Sequence, residues 1–134
     1  MQIRWLQRFE NFEKSLENLS DTLKCIETEG INKIYTMALI QAFEITFELS
    51  WKTLKDYLEY SGLKTDTPRD TIKEAFSNNL ISDGQKWIEM MESRNKTSHT
   101  YKEFEAQAIS NDIINTYFNL FNELQATLKG KING

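Results

Sequence analysis

From residue 2 to residue 28, the apolar side chains Ile3, Leu6, Phe9, Phe12, Leu16, Leu19, Leu23 and Ile26 recur at steps of three and four. That spacing holds them on one face of a 3.6-residue helix, whereas a half-buried strand would need strict alternation. The pattern returns along the rest of the chain, and five Gly and one Pro in 134 residues leave few places to interrupt it. Gly30 is placed to end the first helix.

A second helix is expected from about Asn32 to Tyr60, with Gly62 as its terminator. Leu39, Phe43, Phe47, Leu54 and Leu58 make its apolar row, and Ile40, Ile45, Leu49 and Trp51 carry apolar character further around the cylinder. Gln41, Glu44, Glu48, Lys52 and Lys55 form the remaining polar stripe. A helix this apolar belongs at the centre of a bundle or between subunits. In "TDTPRDTIKEAF", Thr67 suits the N-cap, Pro68 the first helical position, and Asp70 the positive helix end. "SDG" at 82 to 84 predicts a turn, followed by a helix through Trp87, Ile88, Met90 and Met91. A last helix, about 103 to 129, carries Phe104, Ala108, Ile109, Ile113, Tyr117, Leu120, Phe121, Leu124 and Leu128. Long amphipathic helices on short connections predict an all-α fold: an up-and-down antiparallel bundle of four to five helices, one domain over residues 1–134.

A net charge of −4 and a pI near 5.1 argue against a broad basic surface for long nucleic acids, but leave room for a local phosphate site. A single Cys25 precludes an internal disulfide, and one Cys with one His cannot complete a tetrahedral zinc site. The expected metal and cofactor content is none. No apolar run reaches the roughly 20 residues of a membrane span, and the charged N-terminal segment does not read as a signal peptide, so the expected location is the cytoplasm.

The segment "SRNKTSHTY", residues 93 to 101, holds the only histidine, His99. Ser93, Asn95, Thr97, Ser98 and Thr100 all favour caps and turns over helix interiors. In an unbroken helix Arg94 and His99 would stand about 140° apart around the axis. A break after Arg94 is expected, letting the chain fold back and bring guanidinium and imidazole together. Plainer roles fit the same residues: a capping or surface histidine, an arginine on a helix C-terminus, a packed Tyr101. Glu44 and Glu48 on the apolar second helix need partners if buried, which Arg94 or Lys52 could supply. They equally suit a stripe facing solvent or a dimer groove.

"RNKTSHTY" follows the form Arg, four residues, His, one residue, Tyr, and so resembles the RxxxxHxY motif of HEPN-domain proteins, small helical bundles. "ALIQAFEITFELSWKTLKDYLEYSG" and "TPRDTIKEAFSNNLISDGQKWIEMMESRNKTSHTY" are similar to the branch known as nucleotidyltransferase substrate-binding proteins. The resemblance covers roughly residues 30 to 125. It implies that Arg94 and His99 are the catalytic pair of a metal-independent RNA endonuclease whose site forms across a homodimer. It also implies that this chain is the toxin of a type VII-like toxin-antitoxin pair, neutralised when a partner minimal nucleotidyltransferase adds AMP to Tyr101. Asn95 and Ser98 are then candidates to support the phosphate or the imidazole tautomer. The chemistry is coherent, since attack by a 2′-hydroxyl on its phosphate needs an acid, a base and a fixed cation. One chain supplies one His, so a two-fold dimer would supply both proton-transfer groups. The alternative is a non-catalytic subunit that binds substrate or nucleotide for a two-component nucleotidyltransferase, which the acidic pI favours.

Overall fold

Among residues 3–97 and 103–133, which the computed structural model describes, every regular element is helical. The segments are α1 (Arg4–Glu29), α2 (Lys33–Tyr60), α3 (Pro68–Ser77), α4 (Gly84–Thr97), α5 (Glu103–Asp112) and α6 (Phe118–Asn133). A π-helical turn, Ile113–Tyr117, joins α5 to α6, so the last three segments form one rod and the fold is a five-helix bundle.

The helix ends follow from local chemistry. Asn32 Oδ1 accepts the Tyr35 N–H at 2.8 Å to start α2, and Thr67 Oγ1 accepts the Asp70 N–H at 3.1 Å to start α3, with Pro68 behind it. At the end of α2 the chain turns through Gly62 at φ +98°, and the Leu63 N–H closes back onto the Leu58 carbonyl at 2.8 Å. Asn79, at φ +61°, does the same for α3, with Leu80 donating to Ala75 at 2.9 Å. Both are left-handed caps that satisfy last-turn carbonyls.

α2 packs against α1, α3, α4 and α5, as its apolar character predicts. Its pairing with α1 is antiparallel: Trp5 meets Tyr57, Arg8 meets Asp56 and Ser15 meets Thr46. α4 and the last rod also run in opposite directions, since Trp87 meets Phe121 of α6 while Ser93 meets Tyr117 of the π turn. Leu39, Phe43, Phe47, Leu54 and Leu58 are all buried, joined by Phe9 and Phe12 of α1, Trp87 and Met90 of α4, and Phe121 of α6. The Asp56 carboxylate, also buried, accepts from Arg8 Nε at 3.0 Å and so keeps a partner. The first apolar row begins differently from its expected course. Trp5 is buried against Phe9 and Tyr57, while Ile3, which precedes the helix, is exposed.

The π turn has a cause in the spacing of the last helix. Ile109, Ile113, Tyr117 and Phe121 are all buried and stand four residues apart. Three steps of four would carry a row about 120° around an ideal α-helix. The wider turn, closing i→i+5 bonds, takes up the excess and keeps all four on the core side.

Phe121 lies at full burial between Phe12, Phe43 and Trp87. Phe121→Ala is therefore expected to cost about 3–5 kcal/mol, and Thr67→Ala, which removes one cap, only about 1 kcal/mol. Urea titrations of the two variants measure both; equal losses would contradict this placement of the core.

Candidate functional site

α4 carries Arg94 in its last turn but does not end there. It continues through Asn95, Lys96 and Thr97, three residues past Arg94, and the expected break between Arg94 and His99 falls outside the described residues beyond that point. The side chain of Thr97 accounts for the continuation. Its hydroxyl lies 2.7 Å from the Arg94 carbonyl and 2.7 Å from Glu44 Oε2, and it accepts from Arg94 Nη1 at 3.3 Å. A residue that favours helix ends is here tied back into the last turn and across to α2. Ser98, His99 and Tyr101 lie outside the described residues, as does any meeting of Arg94 with His99. Asn95 is exposed on the last turn of α4.

The two glutamates of α2 do meet Arg94. Its Nη1 stands 3.2 Å from Glu44 Oε2, and its Nε stands 3.8 Å from Glu48 Oε1. Glu48 is held from its other side by the indole N–H of Trp51 at 3.2 Å and by Lys52 Nζ at 4.0 Å. Arg94 is 24% exposed, so its charge is neither lost in the core nor free in water. Its Nε is screened from solvent and makes no hydrogen bond, because Glu48 sits beyond hydrogen-bonding reach. Two carboxylates and two cations balance within the cluster, with the guanidinium fixed by neighbours on α2.

Behind Arg94, the buried Tyr117 ring stacks on Phe43 at 5.5 Å and 17°, and its hydroxyl shares a 2.7 Å hydrogen bond with Ser93 Oγ. Burial pushes the Tyr117 phenol above its ordinary value of 10.0, against the lowering effect of the Ser93 bond. Sequence reasoning placed Tyr117 in the core row and missed this contact, for which local spacing carries no signal.

Among the described residues no group of three or more His, Cys, Asp or Glu side chains could hold a metal ion, and no helix is long and apolar enough to cross a membrane.

Residues 7–130 match the family model described as nucleotidyltransferase substrate binding protein like. A Haemophilus influenzae protein named probable ribonuclease HepT is 39% identical over 75 residues, which span 52% of this chain and 51% of that protein. The chain thus spans about half the length of that curated relative. A crystal structure from Thermus thermophilus is 32% identical, covers 87% of this chain and 98% of its own, and superposes with a TM-score of 0.78. A Haemophilus influenzae structure, described as revealing the fold of a substrate binding domain of a nucleotidyltransferase, gives 27% identity, coverage of 90% and 98%, and a TM-score of 0.80. A tri-AMPylated Shewanella oneidensis HEPN toxin, solved with its MNT antitoxin, shares the fold at a TM-score of 0.76 and 13% identity, over 97% of this chain and 99% of its own.

The raised Tyr117 pKa has a sign that can be checked. The folded chain holds the phenolic proton more tightly than the unfolded chain, so this contribution is complete below the unfolded pKa and is lost as pH rises through the folded one. Between about pH 9 and 11 the stability of the Tyr117→Phe variant should fall less steeply than that of the parent, in urea titrations. Parallel pH profiles would contradict it.

Proposed function

The chain belongs to the nucleotidyltransferase substrate-binding protein family, and from that premise we propose that it is a HEPN-type toxin: a metal-independent RNA endonuclease controlled by a partner nucleotidyltransferase. The observation that carries this reading is the fixed, partly exposed Arg94 guanidinium at the end of α4, five residues before the only histidine. Arg94 meets the developing charge on the phosphate oxygens, and His99 exchanges protons with the 2′-hydroxyl and the leaving oxygen. Glu44 and Glu48 hold the guanidinium against α2, and Asn95 and Ser98 are polar groups within the same motif. The relative named probable ribonuclease HepT supports this chemistry.

A second copy of the chain would supply the second imidazole. Met37, Gln41, Glu44, Glu48, Lys52, Ile34 and Ile45 fall within about 100° of one another around an ideal helix, so they share one face of α2. On that face Ile34 is 74% exposed and Met37 63% exposed, two to three turns along α2 from the carboxylates that hold Arg94, and Ile45 is 49% exposed beside Glu44 in the chain. An apolar strip continuous with a half-complete site suits a homodimer that completes the site. Tyr101, two residues beyond His99, is the proposed AMP acceptor, as the AMPylated fold neighbour and its MNT antitoxin suggest. Bulk and negative charge added there would exclude the RNA phosphate. The alternative, a binding subunit without catalysis, is favoured by the acidic pI and by the neighbour described as a substrate binding domain.

His99→Ala and Arg94→Ala should each abolish RNA cleavage and growth inhibition while leaving the helical circular dichroism unchanged. Met37→Glu should yield a monomer in analytical ultracentrifugation and lose cleavage with it. Full toxicity in His99→Ala would sink the nuclease reading in favour of the binding subunit. Incubation with the cognate nucleotidyltransferase and ATP should add the mass of AMP to the parent chain but not to Tyr101→Phe; equal labelling of the two would move the acceptor elsewhere.

A further inference from the structure

Tyr117 touches both segments that hold Arg94. Its ring lies on Phe43, the residue before Glu44, and its hydroxyl lies on Ser93, the residue before Arg94. It also stands at the end of the π turn, without which the row from Ile109 to Phe121 would wind out of the core. Arg94 meets α2 through Glu44 at 3.2 Å, while its Nε stays unbonded 3.8 Å from Glu48, so the carboxylates leave one edge of the guanidinium unclamped. Thr97 ties the last turn of α4 to Glu44, and Tyr117 adds a second tie at this level through Phe43 and Ser93.

We infer that Tyr117 is a positioning residue for Arg94: the π turn delivers its ring to Phe43 and its hydroxyl to Ser93, and this strut sets the direction of the guanidinium. The inference rests on the ribonuclease reading for its catalytic consequence, but its mechanical claim stands apart from it. The strut acts by geometry, since its hydroxyl is engaged with Ser93 and takes no part at the phosphate. Losing the hydroxyl would leave the Phe43 stack and the Thr97–Glu44 bond in place and remove the hold on the Ser93 side of the turn, loosening Arg94.

The test compares the parent with Tyr117→Phe, Ser93→Ala and the double variant, all as full chains. In RNA cleavage, each single variant should lower kcat about tenfold with KM nearly unchanged, the loss expected of a misaimed group. The double variant should be no worse than Tyr117→Phe, because that change removes the bond to Ser93 together with the longer one, 3.5 Å, that the hydroxyl donates to the Glu89 carbonyl. In parallel, the Nε–H resonance of Arg94, assigned by its loss in Arg94→Lys, should broaden and exchange severalfold faster in Tyr117→Phe. The Nε–H of Arg8, bonded to Asp56 at the other end of α2, should not change, which separates a local release from general loosening. An unaltered Arg94 resonance in Tyr117→Phe, or losses that multiply in the double variant, would overturn the inference. Absence of cleavage by the parent, with Arg94 still loosened in Tyr117→Phe, would refute the ribonuclease reading and uphold the strut.

Discussion

The burial of one face of α2 organises the molecule. Phe43 alone is in ring contact with Phe47, Tyr117 and Phe121, and the row it belongs to is buried from Leu39 to Leu58. An apolar helix of 28 residues cannot stand in water, so α1, α3, α4 and α5 assemble around it. The buried polar groups it carries are matched rather than excluded. Thr46 meets Ser15, and Asp56 meets Arg8, which leaves the antiparallel pair with α1 no costly orphan at these positions.

The same helix presents a second, wetter face, and the candidate site grows from it. Glu44 and Glu48 are one turn apart, so a single guanidinium on α4 can lie against both. Arg94 is thereby held by charges on a rigid rod, which is how a cation can be aimed at a phosphate without first being ordered by it. The arrangement also has a cost for an anionic ligand, because a phosphate must compete with Glu44 for the guanidinium. Binding of RNA by such a site would depend on contacts beyond Arg94 and would weaken with salt.

The π turn links the core to this site. Its cause is packing: an apolar repeat of four repeated three times does not match 3.6 residues per turn. Its consequence is that Tyr117 stands where it can reach Phe43 and Ser93 together. Irregular helical turns of this kind are costly in isolation and recur near functional sites, where a side chain must be aimed away from its regular direction.

By itself the amino-acid sequence determined the helices, most of their ends and most of their buried faces. Thr67, Pro68, Gly30 and Gly62 act through bonds and dihedral angles within a few residues, and the apolar steps of three and four define a face without reference to any partner. The same holds for the Arg94, His99 and Tyr101 motif as a pattern. The tertiary structure decided what those faces meet. Whether Glu44 and Glu48 look to solvent or to Arg94 depends on how α4 crosses α2, which no local spacing encodes. The continuation of α4 to Thr97 was missed for the same reason, since Thr97 is held by Glu44, 53 positions earlier in the chain. Weak helix propensity, worth less than about 1 kcal/mol per residue, yields to such a tertiary contact.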